Sequence, residues 1–73
     1  MKAKILERTG NRVRDYVRFE AESSKEITKD DAMRAQTELG YHPAGYGFES
    51  FKVTRCPVLM RYKATWSCQA CCN

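Results

Sequence analysis

The sequence predicts an α+β domain of ββαββ order, a four-stranded antiparallel sheet with one helix packed on one face. Three observations predict it. Residues Lys2 to Ala21 and Phe48 to Ser67 alternate apolar and basic residues with a period of two, the pattern of half-buried strands. Each stretch is broken once by turn-forming residues, Thr9-Gly10-Asn11-Arg12 in the first and Cys56-Pro57-Val58-Leu59 in the second, so each folds as a hairpin. Between them, Thr28-Lys29-Asp30-Asp31 opens a helix and Gly40 closes it.

The first hairpin, from about Lys2 to Ala21, is most consistent with a three-residue loop, Gly10 to Arg12. That loop pairs Ile5 with Val17 and Ala3 with Phe19, so the apolar sides meet, whereas a two-residue loop would set Arg8 against Val13. Ser23-Ser24-Lys25-Glu26 reads as loop. Thr28 is placed to accept from the Asp31 amide, and two carboxylates in the first turn suit the positive end of the helix dipole. The helix runs from about Lys29 to Leu39 and lays Ile27, Ala32, Ala35 and Leu39, flanked by Met33, on the sheet. Tyr41 to Gly47 reads as loop from its proline and two glycines. In the second hairpin a four-residue loop, Cys56 to Leu59, pairs Val53 with Tyr62 and sets Lys52 against Lys63. Like charges so opposed destabilise a sheet unless an anion lies over them.

A chain of 73 residues makes a single domain, residues 1–73, and at that size there is little material for both a core and a deep catalytic cleft. No stretch is apolar enough to span a bilayer, and Met1 to Arg8 lacks the apolar centre of an export signal. The expected compartment is therefore the cytoplasm, where the four cysteines remain thiols or bind metal. Residues 67–73 are expected to form a tail, flexible or tethered by metal.

Strand phasing decides the function reading. Ile5, Val13, Val17, Phe19, Phe51, Val53, Met60, Tyr62 and Trp66 sort to one side of the sheet. Lys2, Lys4, Arg8, Arg12, Arg14, Arg18, Lys52, Arg61 and Lys63 sort to the other, which is nine of the thirteen basic residues. With a net charge of +4 and Tyr16 among the cations, this face suits an anionic partner, either a protein surface or DNA or RNA. Tyr41, Tyr46 and Phe48 form an aromatic loop that either seals the core or anchors a partner, and sealing is favoured because few other residues are available to do it. His42, Cys68, Cys71 and Cys72 form the one set that the register brings near a common zinc ion, with Cys68 opposite Gly47 and Cys71 opposite Ala44. Adjacent Cys71 and Cys72 are poor joint ligands, so the expectation is no cofactor, with zinc as the alternative. No catalytic set emerges: the cysteines lack the helix start that a redox pair needs, and His42 lacks an orienting third group.

The segments Glu38-Leu39-Gly40-Tyr41-His42-Pro43-Ala44-Gly45-Tyr46-Gly47-Phe48 and Tyr62-Lys63-Ala64-Thr65-Trp66-Ser67-Cys68 resemble parts of small orphan proteins of phages and mobile elements. The hairpin, helix, hairpin order is similar to that of several compact anti-CRISPR inhibitors. The resemblance implies a non-enzymatic inhibitor that occupies a surface on a bacterial host protein or nucleoprotein complex, without cofactor or turnover. Two alternatives stand beside it, a direct DNA- or RNA-binding accessory protein and a small structural zinc module. No membrane partner is expected.

Overall fold

The computed structural model describes residues 1–9 and 16–69. Strands β1 (Lys2–Thr9) and β2 (Tyr16–Ser23) are followed by helix α1 (Lys29–Glu38), a helical turn α2 (Pro43–Tyr46), and strands β3 (Glu49–Cys56) and β4 (Arg61–Gln69). All four strands form one antiparallel sheet in the order β1-β2-β4-β3, with α1 packed on it. Strand β4 therefore lies between β2 and β3, so β2, α1 and β3 make a crossover whose two parallel strands are split by β4.

The helix begins as its sequence predicts. Thr28 Oγ1 accepts from the Asp31 amide at 3.2 Å, and the Asp31 carboxylate accepts from the Thr28 amide at 3.0 Å, a reciprocal capping box. These bonds to Thr28 hold the Asp31 carboxyl below its ordinary pKa. At the other end Tyr41 N–H bonds the Gln36 carbonyl and Gly40 N–H bonds the Thr37 carbonyl, both at 3.0 Å, a Schellman closure. Gly40 has φ +100°, a conformation that a side chain would strain. The expected loop after it contains one helical turn, because Pro43 presets φ at its first position and His42 Nδ1 accepts from the Ala44 amide at 3.1 Å.

Ile27, Ala32 and Ala35 are buried against Val17, Phe19 and Ala21 of β2 and Ala64, Trp66 and Cys68 of β4. The core is built over the two central strands. Phe19 stacks on Trp66 with ring centroids 5.4 Å apart, and Tyr41 meets Phe19 edge-on at 5.8 Å. Strand β1 lies at the margin, where Ile5 and Leu6 remain 41% and 45% exposed. Gln36 is the fully buried polar side chain of α1. Its Nε2 donates to the carbonyls of Tyr41 (2.7 Å) and Gly47 (2.8 Å), and its Oε1 accepts from Trp66 Nε1 (3.0 Å).

Both hairpin registers differ from the expectation. Ile5 pairs with Phe19 and Ala3 with Ala21, two residues from the expected partners, and the hairpin tip, Gly10 to Arg12, lies outside the described residues. A bulge between Ile5 and Glu7 then shifts the ladder by one, which sets Glu7 against Arg18 and Arg8 against Val17. Val53 pairs with Ala64 rather than Tyr62, with residues 57–60 as the turn, and a second irregularity lies between Glu49 and Lys52. A shift of two keeps every side chain on its face, which is why alternation alone allows it. Residues 67–69, expected in the tail, belong to β4, where Cys68 pairs with Val17.

Candidate interface on the open sheet face

The face of the sheet turned away from α1 has no covering element among the described residues. Its composition follows from the ladders. One row reads Lys2, Glu22, Lys63, Thr54 across the four strands, the next Lys4, Glu20, Thr65, Lys52, and the third Glu7, Arg18, Ser67, Glu49. Arg61, opposite Cys56, and Tyr16, opposite Gln69, complete the face at its two ends. Of the ten residues expected to form the basic face, Lys2, Lys4, Tyr16, Arg18, Lys52, Arg61 and Lys63 lie on it. Arg8 does not, because the bulge turns it to the side of Val17, and Arg12 and Arg14 fall outside the described residues.

Four carboxylates, Glu7, Glu20, Glu22 and Glu49, interleave with the six cations. Their contribution went unread in the sequence, although Glu20 and Glu22 share the parity of Arg18. Glu20 is the pivot: Lys63 Nζ lies 3.3 Å from one of its oxygens and Lys4 Nζ 3.8 Å from the other, and its side chain is only 12% exposed between them. Arg61 reaches Glu22 at 3.5 Å. Arg18 and Lys52 form no ion pair among the described residues. Arg18 shares an open groove of about 350 Å³ with Glu7, Tyr16, Ser50 and Ser67.

The expected opposition of Lys52 and Lys63 is overturned. Lys52 faces Thr65, while Lys63 faces Thr54 on one side and Glu22 on the other. The like-charge conflict that suggested a bridging anion is therefore absent from this pair, and carboxylates of the same sheet already neutralise Lys63.

The aromatic loop residues pack inward. Tyr41, Tyr46 and Phe48 are half-buried against the core, with Tyr46 edge-on to Tyr41 at 5.2 Å and Phe48 at 6.0 Å from Trp66. This is the sealing arrangement. Of the zinc set, His42 is exposed and caps α2, while Cys68 is buried and pairs across to β2. Burial, aided by the Glu49 carboxylate, pushes the Cys68 thiol up to about 11, which disfavours the thiolate that a metal or an electrophile requires. Cys71 and Cys72 lie outside the described residues, and among the described residues no group of three or more His, Cys, Asp or Glu side chains could hold a metal ion.

Among the described residues, no helix is long and apolar enough to cross a membrane. No family model matches the chain, and no curated protein or solved structure matches it either.

Proposed function

We propose that this chain is a small non-enzymatic binding protein of the phage-inhibitor type, whose open sheet face docks on a bacterial host protein or on the protein part of a nucleoprotein complex. One observation carries the choice of a protein surface: cations and carboxylates alternate across the face, with Glu20 held between Lys4 and Lys63. A nucleic-acid backbone offers one sign of charge and is repelled by four carboxylates. A protein surface offers both signs and rewards a fixed pattern of them. The ββαββ architecture supports the likeness to compact inhibitors, and the cytoplasm of a host cell is the compartment the reading implies. Direct binding of DNA or RNA is the second reading, favoured by the net charge of +4 and by Tyr16 beside Arg18.

Affinity capture from a bacterial lysate, with and without nuclease, distinguishes the two. The protein-docking reading expects a captured protein that survives nuclease and is lost with Arg18→Glu plus Lys52→Glu, two of the three cations on this face, Lys2 being the third, without an ion pair among the described residues. Capture that disappears with nuclease, together with oligonucleotide affinity that falls steeply with salt, overturns it in favour of the second reading.

A further inference from the structure

The turn between β3 and β4 exposes Val58, Leu59 and Met60 at 87%, 68% and 69% of their surface, the most exposed large apolar side chains of the described residues. Three consecutive apolar side chains at a hairpin tip are more than the scattered apolar exposure of an ordinary surface. Met60 adds a second sign. It holds φ +52°, the left-handed region that glycine or asparagine occupies at low cost, so the turn carries backbone strain while presenting a long thioether side chain to solvent.

The base of the tip is cationic. Arg55 and Arg61 immediately flank the segment from Cys56 to Met60, and the register brings Lys2 and Lys63 to the same end of the sheet on either side of Glu22. Glu22, which accepts from Arg61, and Glu20, which pairs with Lys63, are the carboxylates facing these cations. An apolar point above a cationic base matches the layering of a bilayer surface whose phosphate headgroups lie above acyl chains.

We propose that the β3–β4 tip inserts Val58, Leu59 and Met60 into the surface of a membrane containing anionic phospholipid, with Arg55 and Arg61 against the headgroup phosphates. This needs no spanning segment and is independent of the docking proposed for the open sheet face.

The test is co-sedimentation of the full chain with vesicles of phosphatidylcholine alone and of phosphatidylcholine with about one third phosphatidylglycerol. Partition is expected to be at least about fivefold higher on the anionic vesicles, the factor for one well-placed cation. Val58→Asp with Leu59→Asp should lower it at least about tenfold, because one apolar side chain withdrawn from water is worth roughly that factor. Both positions are exposed, so the variant should melt with the wild type, which circular dichroism checks. Arg18→Glu with Lys52→Glu, which disables the sheet face, should leave vesicle binding unchanged. No sedimentation with anionic vesicles overturns the proposal, as does undiminished binding by the folded Val58→Asp, Leu59→Asp variant. Loss of binding in Arg18→Glu, Lys52→Glu alone assigns the lipid contact to the sheet face and overturns it as well.

Discussion

Replacing Gln36 with leucine tests the central claim about how the helix is held. The side chain is fully buried and joins three elements, bonding the carbonyls of Tyr41 and Gly47 and the indole N–H of Trp66 at 2.7, 2.8 and 3.0 Å. Leucine has a similar volume but makes none of these bonds. Each bond is worth about 1 kcal/mol net, and a buried donor left without a partner costs about 1–3 kcal/mol. The gain from burying an apolar side chain offsets part of this, and the net loss comes to about 2–4 kcal/mol. A domain of this length holds about 4–11 kcal/mol in total, so the variant should remain folded at low temperature with much of its margin gone. The corresponding fall in Tm is about 10–30 °C. Urea titration followed by far-UV circular dichroism measures it. Trp66→Phe then closes a double-mutant cycle: without the indole N–H, Gln36→Leu should cost at least about 1 kcal/mol less than it does in the wild type. A loss below about 1 kcal/mol, or costs that simply add, would refute the claim that this side chain clamps helix, loop and strand together.

Thr28→Ala should cost about 1 kcal/mol through the lost cap, read from the same titration. The Asp31 carboxyl it holds has a lowered pKa in the folded state, so its contribution is present above the ordinary carboxylate range and is lost as pH falls through the folded value. Asp31→Asn should therefore flatten the acid limb of stability against pH. Iodoacetamide at pH 8 should modify exposed Cys56 in the native protein and spare buried Cys68, as peptide mass mapping would show. Because the folded Cys68 thiol is raised from 9.0 to about 11, its contribution is complete below pH 9 and declines as pH rises toward 11. Cys68→Ala should remove that alkaline slope from thermal melts. Glu20→Gln frees Lys4 and Lys63 on the open face. It should raise affinity for a single-stranded oligonucleotide and steepen the log–log salt dependence by about 0.7 per cation released, measured by fluorescence anisotropy.

Alternation made the strands and their faces legible, because Val17, Phe19, Ala21, Ala64, Trp66 and Cys68 all share the parity that buries them. Parity does not distinguish registers two residues apart, so Ile5 could be placed against Val17 as readily as against Phe19. The bulge after Ile5 leaves no mark on the pattern, and it is what turns Arg8 out of the expected face. The helix ends were legible because Thr28, Asp31 and Gly40 act on the backbone beside them. Gln36 was missed although it lies four residues after Ala32 and three before Leu39, in line with the apolar stripe. A buried Trp66 in need of an acceptor was the available clue. The pairing of Glu20 with Lys63 and of Glu22 with Arg61 required the strand order, which sets β4 beside β2 and cannot be read from either hairpin alone.

That strand order also bears on how the chain is made. Val17 and Cys68 are ladder partners far apart in the sequence, and both neighbours of β4 are synthesised before it. A ribosome that has delivered everything up to Met60 has produced the β1–β2 hairpin and a separate β3 with no strand between them. Closure waits for β4, whose ladder with β2 is the one in the sheet that joins strands far apart in sequence, and that step carries the largest loop-closure cost. Premature termination within Arg61–Gln69 thus yields no smaller working version of the protein, only exposed edges for chaperones and proteases to find.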